Sequence, residues 1–239
     1  MKTFVMIPTY NERENVETLV KDILKLGIED ISVVVADDNS PDGTWELVER
    51  MSRENPNIHL LRRMKRHGRG FAGIDGFLYC FRQGADYIVE MDGDFSHDPK
   101  HIPEMLREID SCDVVIGSRF VKGGSDNDRS IYRTILTRLV ALYVRTLLGV
   151  KVRDVSSGYK LFKRKVFEKI DLEDMISTGP SVVLETLYKL TLNGFKIKEV
   201  PIRFVDRRLG STKLDIITLL ETMVMVLKLR KWKKLGRIK

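Results

Sequence analysis

The sequence predicts an α/β protein built on one mainly parallel sheet with helices on both faces, followed by amphipathic helices. Short β-branched runs alternate with helical patterns through the first 120 residues, and repeated strand–crossover–strand units build parallel sheets. Polar motifs stand directly after the strands, where open α/β sheets bind ligands. From about residue 123 the pattern gives way to longer, broadly apolar helical stretches.

In chain order, residues 3–7, 31–35, 58–61, 87–91 and 114–116 read as buried strands, and 12–26, 44–53, 71–83 and 101–109 as the intervening helices. Residues 131–148 predict a long helix with Thr134, Arg138, Ala141 and Arg145 along one side and Leu139, Leu142, Tyr143 and Leu147 around the remainder. A strand over 201–205 leads into a polar loop at 206–213. The last helix, 214–229, is apolar except for a stripe at Asp215, Thr218, Glu221 and Thr222. No repeat, low-complexity segment or long linker divides the chain, so its length suits one domain.

A formal charge of +7 invites a nucleic-acid reading, but the charge is localised. The last twelve residues hold seven basic side chains and no acidic ones; removing those seven from 41 Lys+Arg leaves 34, equal to the 34 Asp+Glu. A neutral body with a basic tail argues against nucleic acid and for an anionic surface as partner. Cys80 and Cys112 form no CxxC pair, which fits a reduced compartment without a disulfide or zinc site. The N-terminus enters a polar motif with no signal-peptide pattern, predicting a cytoplasmic location.

The chemistry concentrates in a few constellations. Asp92 and Asp94, separated by Gly93, close the fourth strand; two carboxylates at such a turn suit a hard cation, Mg²⁺ or Mn²⁺, bound jointly with phosphates. Asp37 and Asp38 end the second strand, where an acidic group can hydrogen-bond a base or ribose, while Asp42 reads as a helix cap. Gly68, Gly70 and Gly73 match GxGxxG, the basis of an alternative NAD-binding reading. They follow the third strand, not the first, and the segment between strand and helix is crowded with basic residues. These glycines fit better as a loop near phosphate, with Lys65, Arg66 and Arg69 supplying charge. Arg119 follows a strand, and Arg207 and Lys213 flank Gly210 like a phosphate clamp. His97 and His101 stand four apart with Pro99 between them, so a structural role is expected rather than a helical zinc pair.

Together, Pro8-Thr-Tyr-Asn-Glu12, Asp37-Asp38-Asn-Ser40-Pro-Asp-Gly43, Met91-Asp-Gly-Asp-Phe-Ser-His97, Gly117-Ser-Arg119, Ser157-Gly158-Tyr159 and Phe204-Val-Asp-Arg207-Arg-Leu-Gly210-Ser-Thr-Lys213 resemble the dolichol-phosphate mannose synthases, inverting glycosyltransferases of the GT-A fold. The resemblance implies a Rossmann-like GT-A domain over 1–213, with a nucleotide-sugar half at 1–120 and an acceptor half at 121–213. An amphipathic helix and basic tail would occupy 214–239. It implies that Pro8, Tyr10, Glu12, Ala36 and Asp38 hold the nucleoside, and that Asp92, Gly93, Asp94 and Ser96 hold metal and diphosphate. Arg119, Arg207 and Lys213 would contact donor or acceptor phosphate. Many relatives carry alanine at the position of Gly93 and some carry glutamine at that of Ser96.

The implied reaction moves a sugar, mannose from GDP-mannose, onto dolichyl or another polyprenyl phosphate with inversion. A related transferase using UDP-glucose or another acceptor, an NAD-binding enzyme, and a non-catalytic nucleotide or nucleic-acid binder are the alternatives. Residues 214–227 are too few, and too charged at Asp215 and Glu221, to cross a bilayer, which takes ~20 apolar residues. The helices at 131–148 and 214–229, with Trp232 among cations, predict peripheral attachment to a membrane surface. A membrane-spanning partner subunit is compatible with that attachment.

Overall fold

Within each inner strand, successive side chains supply two different cores. Phe4 and Met6 join Val34, Ile88, Val114, Ile116 and Phe162 on one side, while Val5 and Ile7 join Val33, Val35, Val89, Val115 and Leu161 on the other. A strand apolar on both faces must be covered on both, and this is why the period-two distinction vanishes from these runs. The computed structural model describes residues 1–239 except 66, 127–130, 178, 206–215, 237 and 239, and no side chains at 216–219.

The strands are β1 (Thr3–Thr9), β2 (Ile31–Asp37), β3 (Ile58–Arg62), β4 (Tyr87–Glu90), β5 (Val114–Ser118), β6 (Lys160–Lys163) and β7 (Ile197–Pro201). The helices are α1 (Arg13–Leu24), α2 (Thr44–Glu54), α3 (Arg69–Arg82), α4 (Ile102–Glu108), α5 (Ile131–Leu148), α6 (Arg164–Lys169), α7 (Val182–Leu192) and α8 (Ile216–Lys234). They surround one seven-stranded sheet of order β3-β2-β1-β4-β6-β5-β7. Val16, Leu19 and Val20 of α1, Val48 of α2 and Met105 of α4 pack on one face; Ile74 and Phe77 of α3, Val144 of α5 and Leu187 of α7 pack on the other. The α/β sheet with helices on both faces is as the sequence predicts.

The chain runs outward from β1 to β3, then returns to lay β4 parallel on the opposite side of β1. That reversal opens a crevice at the carboxyl ends of β1 and β4, where ligands of open α/β sheets bind. The helix α3 lies close to β1 because Gly76 faces Met6: a Cβ at position 76 would stand 2.7 Å from Met6 Cγ. Gly76→Val therefore overpacks this seam, and we expect a loss of about 1–3 kcal/mol, read as a lower midpoint in thermal unfolding. An unchanged midpoint would show that α3 is free to lift off the sheet.

Three expectations need correction. The strand expected at 201–205 is β7, four residues earlier, because Ile197–Pro201 pairs in parallel with β5. Residues 203 and 204 make only isolated bridges, to Ser125 and His97. Between β4 and β5 the sheet holds β6, antiparallel to both and absent from the sequence reading. The last helix runs past 229 to Lys234.

The helices α5 and α8 contact each other, and Tyr143 Oη donates to the Met223 carbonyl at 3.3 Å. Buried Val144, Leu148, Val226 and Leu229 face the core. Ile131, Tyr132, Ile135, Leu139 and Leu142 of α5, with Leu220, Val224 and Leu227 of α8, remain exposed. No helix among the described residues is long and apolar enough to cross a membrane. Cys80 and Cys112 are both buried and unbridged.

Candidate functional site

Three loops line the crevice, and each is held by side-chain hydrogen bonds and forced into an uncommon backbone shape. After β1, Asn11 has φ 60°; after β2, Asn39 has φ 55°; after β4, Phe95 has φ 62°. Asparagine tolerates the left-handed region, whereas a phenylalanine there costs about 1–2 kcal/mol and persists only where its surroundings fix it. The strained Phe95 directly follows Asp94.

The first two loops are tied together by Asp37, which is fully buried. It accepts hydrogen bonds from Thr9 Oγ1 (2.9 Å), Ser40 Oγ (2.6 Å) and the Ser40 amide (2.8 Å). Asp42, expected as a helix cap, stands one residue before the N-cap of α2, which is Gly43. It accepts from the Thr44 amide at 2.9 Å and the Arg13 amide at 3.1 Å and so ties the starts of α2 and α1 together. Glu12 donates its amide to Thr44 Oγ1 at 3.1 Å and accepts from Asn15 Nδ2 at 2.9 Å. Pro8 and Ala36 are register partners on β1 and β2, and Tyr10 is 51% exposed. Asp38 is buried in an ion pair with Arg63 and accepts from the Gly68 amide at 2.6 Å. Gly68 has φ 126°, a conformation side-chain-bearing residues rarely adopt. The first glycine of the GxGxxG match thus serves a hydrogen bond to Asp38.

The acidic turn after β4 is more elaborate than its sequence. Asp94 is 4% exposed and accepts the Ser96 amide at 3.1 Å. Asp92 is partly open and accepts from Arg69 Nη2 at 2.8 Å. Arg69, expected among the phosphate-loop cations, turns instead to this carboxylate and to Glu90, whose Oε1 lies 3.3 Å from its Nη1. Burial works against its charge, but Asp92 and Glu90 outweigh it and hold the guanidinium's pKa above its ordinary value. Lys65 is exposed, and Arg66 lies outside the described residues.

The Asp92 amide donates to His97 Nδ1 at 3.1 Å, so that nitrogen is an acceptor and the proton belongs on Nε2. Burial pushes the His97 pKa down, against the pull of Asp92 and Asp94, which keeps the ring neutral. The ring stacks on Tyr159 with centroids 4.9 Å apart, and Tyr159 Oη donates to the Asp98 carbonyl at 3.0 Å. His101 instead accepts the Arg203 amide at 3.3 Å, so the two histidines form no pair. Gly158 permits the approach of β6: a Cβ there would sit 2.8 Å from Arg69 Nη2 and 3.6 Å from Asp92 Oδ1. A Cβ at Gly93 would meet Thr9 Cγ2 at 3.3 Å and Ile7 Cγ2 at 3.4 Å, a tight fit that alanine reaches with a small shift of its neighbours.

On the far side Arg119, 8% exposed, grips buried Asp154 by Nε (2.7 Å), Nη2 (2.7 Å) and its own amide (3.0 Å). Ser156 Oγ takes a further hydrogen bond from Nη2 at 2.7 Å. Rings of Phe120 and Phe204 flank the guanidinium at 5.1 and 5.0 Å. A planar cation fixed by one carboxylate edge is preorganised for an oxyanion on its other edge. Arg207 and Lys213 lie outside the described residues.

Residues 4–171 match glycosyl transferase family 2. The chain belongs to that family. Among its curated relatives, polyprenol monophosphomannose synthase of Mycolicibacterium smegmatis is 36% identical over 99% of this chain and 89% of that protein. Undecaprenyl-phosphate mannosyltransferase of Micrococcus luteus is 36% identical over 90% and 88%. Dolichol-phosphate mannosyltransferase of Pyrococcus furiosus is 36% identical over 97% of this chain and 64% of that one. Among solved structures, glucosyl-3-phosphoglycerate synthase of Mycobacterium tuberculosis superposes with a TM-score of 0.70 over 96% of this chain and 78% of its own, at 18% identity. That crystal holds Mn²⁺, UDP and phosphoglyceric acid. At this identity the likeness establishes the fold, GT-A. As a family 2 member the chain is an enzyme, a glycosyltransferase.

Sequence reasoning assigned no role to three residues of this family 2 cleft, Glu90, Lys160 and Asp154. Glu90 interrupts an apolar strand and was the one legible signal. Lys160, fully buried, places Nζ 3.8 Å from Glu90 Oε2, with no hydrogen bond reaching it among the described residues; burial pushes its pKa down, opposed by Glu90. Asp154 completes the set, and no local pattern announces it; the ring-stacked Tyr159 belongs to the motif Ser157-Gly158-Tyr159 already quoted.

Proposed function

We propose that the chain transfers mannose from GDP-mannose to a polyprenyl phosphate such as dolichyl phosphate, with inversion at the sugar. The observation that carries this reading is the acidic turn itself: Asp92 and Asp94 close β4 at the switch between β1 and β4, braced by a strained Phe95. The names of the curated relatives favour the lipid phosphate and the mannose.

Among the described residues no cluster of three or more His, Cys, Asp or Glu side chains surrounds one point. Two carboxylates alone do not make a cage, but they fit a hard cation whose remaining ligands are diphosphate oxygens and water. Asp92, Asp94 and Ser96 would hold it, and the presence of both Mn²⁺ and UDP in the crystal of the structural neighbour supports that fit. Bound there, Mg²⁺ or Mn²⁺ would offset the charge of the departing nucleoside diphosphate.

The chain's own residues do the rest. Pro8, Tyr10, Glu12, Ala36 and Asp38 lie on the nucleoside side; Asp38, already committed to Arg63 and Gly68, shapes the pocket wall. Arg119, with Arg207 and Lys213, holds and aims phosphate. A phosphomonoester has its second pKa near ~6, so the acceptor oxygen arrives ionised and no catalytic base is required. Alignment behind the sugar carbon and charge stabilisation are what remain for the protein to supply. The apolar faces of α5 and α8 with the basic tail support peripheral attachment to a membrane, where such an acceptor resides.

Thermal unfolding with nucleotide and Mn²⁺ tests the donor. GDP at a hundredfold excess over its dissociation constant should stabilise the fold by about 2.7 kcal/mol, with UDP well behind. Stronger protection by UDP would replace mannose with another sugar, and no protection by either nucleotide would defeat the transferase site as drawn.

A further inference from the structure

The stripe on α5 that the donor chemistry does not use has a counterpart in space. Arg138, Ala141 and Arg145 lie on one side of the helix, and together with Arg153, Phe120 and Leu142 they line a cavity of about 310 Å³. Ala141 offers only a methyl between the two arginines, leaving room that a longer side chain would fill.

Arg53, Arg63, Arg69, Arg119 and Arg164 each meet a carboxylate. Among the described residues no ion pair engages Arg138, Arg145 or Arg153, and all three side chains are exposed. Glu199 accepts the Arg153 amide at 2.8 Å but makes no ion pair with its guanidinium. Three like charges around one hollow repel one another, and a bound anion reduces that cost. Phe120 is the wall shared with the transfer site: its ring receives Arg119 at 5.1 Å and Arg138 at 5.4 Å. None of the cavity's lining residues belongs to the acidic turn.

We propose that this cavity is a second anion site that takes a phosphate group, distinct from the reacting phosphates. Guanidinium forks match phosphate oxygens, and three of them lining one hollow suit a phosphate group. Leu142, which lines the cavity, is 57% exposed beside Leu139 at 58%, so a phosphate carrying an acyl tail would find apolar surface beside its headgroup. The site does not depend on which sugar or acceptor the enzyme uses.

The test compares wild type, the triple variant Arg138→Gln/Arg145→Gln/Arg153→Gln, and a charge-matched tail variant Lys228→Gln/Lys231→Gln/Lys233→Gln. Calorimetric titration with inorganic phosphate should show saturable binding to wild type and tail variant, weakened at least about tenfold in the triple variant, each guanidinium adding a charge-assisted contact. Vesicles of phosphatidylcholine with and without phosphatidylglycerol identify the source. A lipid headgroup as ligand predicts that the triple variant alone loses the phosphatidylglycerol-dependent share that added phosphate competes away; free phosphate as ligand predicts unchanged partition. Equal unfolding midpoints exclude misfolding, since the three side chains are exposed. Phosphate binding that survives the triple substitution, falls equally in the tail variant, or is absent from wild type together with unaltered vesicle partition overturns the site.

Discussion

Asp94→Ala lowers sugar transfer by about 10³-fold or more while the protein stays folded. The two halves of that expectation have separate physical grounds. Asp94 is buried at the end of β4 in a turn whose next residue is strained, so its carboxylate is placed at a cost that packing alone does not explain. Its Oδ1 accepts the Ser96 amide, and losing that acceptor leaves one buried donor unsatisfied, worth about 1–3 kcal/mol of stability. Core packing on both faces of the sheet is untouched. Steady-state transfer rates with Mn²⁺, read beside a melting curve, check both halves. Turnover within tenfold of wild type in the variant, with metal chelated, would remove the acidic turn from the reaction. Asp92→Ala is a less clean probe, because it also strips Arg69 of one of its two carboxylates.

The contrast between these aspartates shows where a sequence stops speaking. Strands β1 to β5 were legible because burial on both faces writes continuous β-branched runs, and the motif loops stand out because they follow those runs. Lys160–Lys163 is four residues long with a lysine at either end, so it reads as surface. Yet Lys160 is buried against Glu90, and β6 completes the sheet between β4 and β5. The helix α7 is hidden for the same reason. Glu185 is fully buried because it accepts the Ile176 and Ser177 amides, and Lys189 because it donates to the Asp171 and Asp174 carbonyls. Charges that look solvated in a string of letters are here satisfied by loop backbone. At the site, residue types with direct ligand chemistry were visible one motif at a time. What escaped were the groups that hold them: Asp154 is 35 residues from Arg119 along the chain, and Glu90 lies 21 from Arg69.

Asp154→Ala should accordingly cost more stability than any loop substitution at the cleft, about 3–5 kcal/mol, because it strands the Arg119 charge in a buried setting. Burial alone raises the Asp154 pKa, but hydrogen bonds and charge from Arg119 outweigh it and hold the carboxyl below its ordinary value. A depressed carboxyl contributes stability that is present above its unfolded pKa and lost as pH falls through the folded one. Wild type should therefore lose this contribution on acidification below the ordinary carboxylate range, and the variant, having no such group, should show a flatter profile there. Removing the cation as well separates structure from chemistry. Arg119→Met/Asp154→Leu replaces the pair with apolar groups of similar bulk, which restores much of the midpoint, as buried ion pairs so exchanged often do. Transfer activity stays lost in the double variant if Arg119 holds phosphate. Recovery of stability together with activity would make the pair a packing element and leave phosphate to other cations of the chain.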